Sequence, residues 1–148
     1  MATKADFYVG IGPDAEWLGS IFNNGDAWHI PLNILIQINT VMFEELTLDF
    51  LKKRDSVIAD RGDKWDHSWA DSRITDYSYM FDPAREKVLM YQTGINYLVD
   101  PIKILQGYSI MECIEVYGTP KFPIMLPDQV MKTEELLKEY GYSLTDPL

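Results

Sequence analysis

The chain is poor in cysteine, in basic residues and in long apolar runs, and each shortage excludes something. With one cysteine, Cys113, no internal disulfide can form, which fits a reducing, cytoplasmic compartment (the host's cytoplasm if the protein is viral). Only 13 Lys and Arg stand against 23 Asp and Glu, a net charge of −10. Such a chain repels bare nucleic acid, whose binding depends on cations neutralising phosphates. An anionic membrane surface is disfavoured for the same reason. No stretch approaches the roughly 18 apolar residues of a membrane helix, and Met1 to Asp6 lacks the apolar run of a signal peptide. The two histidines, His29 and His67, form no His-x-x-x-His pair, and neither a Cys-x-x-Cys nor an Asp-x-Asp-x-Asp-Gly loop occurs. No metal or other cofactor is therefore expected. Repeats, low-complexity tracts and Pro/Gly/Ser linkers are also missing, so residues 1–148 read as one domain.

What remains is a chain that is 47% hydrophobic, enough for a core without staples. The apolar runs Phe7 to Ile11 and Leu18 to Phe22 read as short strands, each ending in a turn signal, Gly12-Pro13 and Asn23-Asn24-Gly25-Asp26. Leu32 to Ile38 is too short for periodicity to separate strand from helix. Thr40 caps an expected helix to Arg54, with Phe43, Leu46, Phe50 and Leu51 on one face. Ile74 to Phe81 alternates as a strand, turns at Asp82-Pro83 and returns through Val88 to Thr93. Ile102 to Leu105 suggests another strand. Ser109-x-x-Glu112 has the form of a capping box for a helix carrying Ile110, Cys113, Ile114 and Tyr117, and Pro127 opens a last helix ending at Gly141. The sum is an α+β fold, a small, mostly antiparallel sheet with about three packed helices.

Two phrases carry a resemblance. Ala5-Asp6-Phe7-Tyr8-Val9-Gly10 leads into Gly12-Pro13-Asp14-Ala15-Glu16-Trp17-Leu18-Gly19-Ser20. A Trp65-to-Trp69 segment leads into Asp71-Ser72 and Thr75-Asp76-Tyr77. Together they resemble a family of short proteins of tailed phages and microbial genomes that has no established activity. The resemblance covers roughly the first two-thirds of the chain and leaves residues 98–148 as a possible extension on a core of 5–97. It implies only a small accessory or viral-type protein, and no catalytic role can be carried over from it.

Among candidate sites, the foremost is the segment with Trp65, His67, Trp69, Asp71, Ser72, Arg73 and Asp76, where indoles, an imidazole, carboxylates and a guanidinium crowd into twelve residues. Such a loop can stack a ring and hold polar edges, or its tryptophans can pin it to the sheet. A second candidate is the glycine turn leading to Asp14, Glu16 and Trp17, which allows close backbone approach but is neither a Walker loop nor a dinucleotide fingerprint. Cys113, on the apolar face of its helix, reads as an inert thiol. Three functions compete. A non-enzymatic protein that binds another protein through an aromatic and acidic surface centred on Trp65 to Asp76, as a host-factor inhibitor or an assembly component, leads, because no catalytic signature is present and aromatic and acidic residues abound. A small-molecule or nucleotide binder comes next, with Trp65 or Trp69 stacking a base. A hydrolase using His67 as base comes last.

Overall fold

A computed structural model describes residues 3–11, 15–59, 76–92, 95–108 and 110–115. Seven strands among them form one sheet: β1 (Ala5–Val9), β2 (Glu16–Ile21), β3 (Ser56–Ile58), β4 (Tyr77–Asp82), β5 (Lys87–Gln92), β6 (Ile95–Val99) and β7 (Ile114–Glu115). Their order is β3-β2-β1-β4-β5-β6-β7. All neighbours run antiparallel except β1 and β4, whose parallel seam places Phe7 beside Tyr79 at the centre. The helices are α1 (Leu32–Leu35), α2 (Thr40–Lys52), α3 (Pro101–Leu105) and α4 (Ile110–Cys113), with a 3-10 turn at Ala27–His29. The chain is thus α+β as expected, with a mixed sheet. Strands β6 and β7 and helices α3 and α4, from the later part of the chain, belong to this same sheet and its helices.

Strand alternation divides the core. Phe7, Tyr79, Phe81, Val88 and Met90 face the helices and meet Ile34, Leu35, Phe43, Leu51 and Ile104. Phe7 stacks on Tyr79 at 5.4 Å and Phe43 on Phe81 at 5.5 Å, so the aromatic residues of β1, β4 and α2 bind the layers together. Each such buried ring or leucine contributes about 1.5–3 kcal/mol. Tyr8, Trp17, Met80, Leu89, Tyr91 and Leu98 point the other way and are buried too.

The expected β4–β5 hairpin is present, and Asp82 explains its turn. Its Oδ1 accepts from the N–H groups of Ala84 and Arg85, and Oδ2 pairs with Arg85 Nη1 at 3.0 Å. Glu86 takes the left-handed conformation, φ 53°, before the return strand. In the turn after β2 it is Asn24 that adopts positive φ, 52°. Gly25 is needed for a different reason: a Cβ there would come within 2.8 Å of Ala5 Cβ.

Several expectations require correction. The cap of α2 is Asn39, whose Oδ1 accepts from the Met42 N–H at 3.1 Å, while Thr40 is already helical. The helix stops at Lys52, and Arg54 turns back to donate to the Asn23 carbonyl and side chain. Ile102 to Leu105 is helical, not extended. Asp100 caps it through the N–H groups of Ile102 and Lys103, and Pro101 occupies the first turn, a start signal that outweighs three β-branched or apolar residues. The capping-box helix is only Ile110–Cys113, because Ile114 and Glu115 leave it to pair with Val99 and Leu98. Sheet pairing here overrides a helical spacing. The ambiguous Leu32 to Ile38 segment resolves as the short α1. The segment expected to form a last helix from Pro127 lies outside the described residues.

Candidate functional site

Of the residues singled out in the sequence, Glu16, Trp17 and Asp76 are described, whereas Asp14, Trp65, His67, Trp69, Asp71, Ser72 and Arg73 lie outside the described residues. Asp76 is exposed and closes the start of β4 onto the N-terminal strand. Its Oδ2 accepts from the Lys4 N–H at 2.8 Å, and its own N–H donates to the Lys4 carbonyl. Glu16 is half-buried at the mouth of a groove of about 160 Å3 that it lines with Trp17 and Glu44. Trp17 is only 8% exposed, and its indole Nε1 donates to Ser20 Oγ at 3.0 Å.

That contact belongs to a buried polar network across β1 and β2. Ser20 Oγ donates to Asp6 Oδ1 at 2.5 Å, and the Tyr8 hydroxyl donates to Asp6 Oδ2 at 3.2 Å. The register explains the meeting: Asp6 pairs with Ser20, and a bulge then shifts Tyr8 opposite Trp17, so all four side chains share one face. Burial, then the Asp6 charge and its hydrogen bond, push the Tyr8 phenol far above its ordinary range. A phenol so held keeps its proton and does not serve as a base. The network satisfies a carboxylate with no solvent exposure, which is a structural task.

The exposed surface is elsewhere. Between residues 28 and 42 the side chains of Trp28, Leu32, Ile36, Ile38, Val41 and Met42 are all exposed, Ile38 by 69% and Val41 by 60%. They are six of the ten large hydrophobic residues that are exposed among those described. The local fold puts them there. In α1, Ile34 and Leu35 turn into the core, so Leu32 and Ile36, one turn apart, face outward. Val41 and Met42 sit in the first turn of α2, where Phe43 takes the inward position. Beside Leu32 lies a groove of about 490 Å3 whose walls include Trp28, Pro31, Leu32 and, from α3, Leu105. Clustered apolar exposure of this kind marks contact surfaces, whereas isolated exposed leucines do not.

The segment of chain that carries this surface has formal charges of one sign. No Lys or Arg occurs between Lys4 and Lys52, and Glu44 and Glu45 follow one turn after Val41. Among the described residues the ionisable side chain lining the groove is His29, 55% exposed, whose Nδ1 lies 2.5 Å from Oδ1 of the buried Asp26. The pair fixes the imidazole's orientation, and none of the described residues lining the groove is a serine, threonine or cysteine that it could activate. The other nucleophile candidate, Cys113, is 1% exposed with its thiol pushed up to about 12 by burial and by the Asp100 charge. Among the described residues no group of three or more His, Cys, Asp or Glu is placed to hold a metal.

Sequence reasoning passed over this surface because the stretch from Leu32 to Ile38 is apolar on both faces and shows no amphipathic stripe. The absence of any cation from Ala5 to Leu51 was the available signal. Comparison with family models, with curated proteins and with solved structures gives no match.

Proposed function

We propose that this chain is a non-enzymatic accessory protein, of the viral type its resemblance implies, that acts by binding another protein through the apolar surface of residues 28–42. The observation that carries the reading is the concentration of six exposed large apolar side chains in fifteen residues, on elements anchored to the core by Ile34, Leu35 and Phe43. Leaving that much apolar area in water costs free energy that a partner's surface recovers on binding, about 25 cal/mol per Å2 covered. Host-factor inhibition and a place in an assembly are both served by such a face.

The groove beside Leu32 favours a second reading, a small-molecule site, since its volume falls in the usual range for ligand pockets. Its apolar walls fit an apolar ligand; no lysine or arginine among the described residues lines it to meet a nucleotide's phosphates.

The two readings separate in one comparison. The native protein and a Leu32→Ser/Ile36→Ser/Val41→Ser variant serve as baits against host lysate, with a thermal-shift screen of nucleotides and apolar compounds alongside. The expected outcome is a protein retained by the native bait and lost by the variant. Identical retention by both baits, or none, would remove the protein-binding reading. A ligand that raises the melting temperature of the native protein alone would favour the pocket.

A further inference from the structure

We infer that the occupant of the residue 28–42 surface is an amphipathic helix of a partner protein, with an apolar stripe flanked by lysine and arginine; this rests on the protein-binding reading above. The surface has the relief for a helix. Leu32 opens α1 and Ile36 caps its end one turn later, Val41 and Met42 are exposed on α2, and the groove between Trp28 and Leu105 offers a slot for an anchoring side chain. An incoming helix presents its own apolar residues at three- and four-residue spacing, which matches such rows.

The chemistry of the flanks follows from charge. The surface lies within a stretch of chain that has no Lys or Arg from Ala5 to Leu51, Glu44 and Glu45 border it one turn away, and the whole chain carries −10. Cations on the partner therefore meet acids and gain both association rate and selectivity. A second copy of this chain would bring the same glutamates and the same net charge face to face, so self-association is the disfavoured occupant. An acidic partner helix would be repelled in the same way.

The probe is a fluorescein-labelled model peptide of leucine and lysine, helical and amphipathic, compared by fluorescence anisotropy with a leucine and glutamate peptide of the same apolar pattern. The protein is used as the full chain. The leucine/lysine peptide should bind at least roughly tenfold more tightly than its acidic counterpart, and more weakly at high salt. Leu32→Glu should weaken that binding roughly tenfold although it adds a negative charge, because the apolar contact is lost. Val57→Glu on β3, the same charge change at another exposed apolar residue, should leave it unchanged. Leu32→Ser keeps the test valid should the glutamate disturb α1, and circular dichroism melting checks both. Equal binding of the two peptides, or equal effects of Leu32→Glu and Val57→Glu, would overturn the inference. So would a dimer seen by light scattering that Leu32→Glu dissociates. None of these outcomes changes which bait retains a lysate protein, so the partner chemistry and the protein-binding reading fail separately.

Discussion

At Cys113 the environment decides what a reactive side chain can do. The thiol, at the end of α4, is buried with Sγ 3.7 Å from the Tyr108 carbonyl, and burial first, then the Asp100 and Glu112 charges, raise it from 9.0 to about 12 despite Lys103. Below pH 9.0 the thiol is protonated in both the folded and the unfolded chain, and its burial carries no pH-dependent cost. Between 9.0 and about 12 the unfolded chain loses this proton while the folded chain keeps it, so stability falls as pH rises through that interval. The Tyr8 phenol, raised by burial and Asp6, adds to the loss with the same sign. Urea denaturation midpoints should therefore decline steadily above pH 9.0, and iodoacetamide at neutral pH should label Cys113 only after unfolding. Fast labelling of the native chain would contradict the burial. Asp6 is the complementary case, a carboxylate kept in the interior because Ser20 and Tyr8 donate to it.

At the scale of elements, close approach matters more than propensity. Gly19 sits where β2 is pressed between α2 and β3: a Cβ there would overlap the Val57 carbonyl oxygen and come within 2.7 Å of Leu51 Cδ1. Gly19→Ala should cost about 1–3 kcal/mol, read as a lower denaturation midpoint, because backbone on one side and the core on the other leave no room to give. Where one periodicity ruled, the sequence was legible. The alternation of β4, the inward face of α2 and the Asp82-Pro83 turn all follow from local pattern. Legibility ended where two patterns competed. Ile102 to Leu105 is apolar enough for a strand, but Asp100 and Pro101 start a helix, and Ile114 fits the helix spacing of α4 yet is taken by the edge of β6. Of the candidate sites, the indole-rich segment and the glycine turn were conspicuous by composition. The exposed surface was not, for exposure is a property of the assembled layers and no local spacing encodes it.

For the whole molecule, the sheet and its helix layer bury Phe7, Phe43, Tyr79 and Phe81 between them and leave the apolar side chains of residues 28–42 exposed. If that surface is built for contact and not for folding, replacing it should leave the core intact. The Leu32→Ser/Ile36→Ser/Val41→Ser variant should unfold within about 1 kcal/mol of the native chain and resist salt-induced precipitation better, measured by denaturation and light scattering. A large loss of stability would mean these side chains serve the fold. The parallel seam carries a further consequence for biosynthesis. Lys4 and Asp76, which bracket its entrance, are 72 residues apart. On a ribosome β1 emerges early, joins β2 and β3, and then waits with one bare hydrogen-bonding edge until β4 has been translated. Pairings of such long sequence separation form slowly, so the newborn chain passes through an interval in which its central strand is open to wrong neighbours.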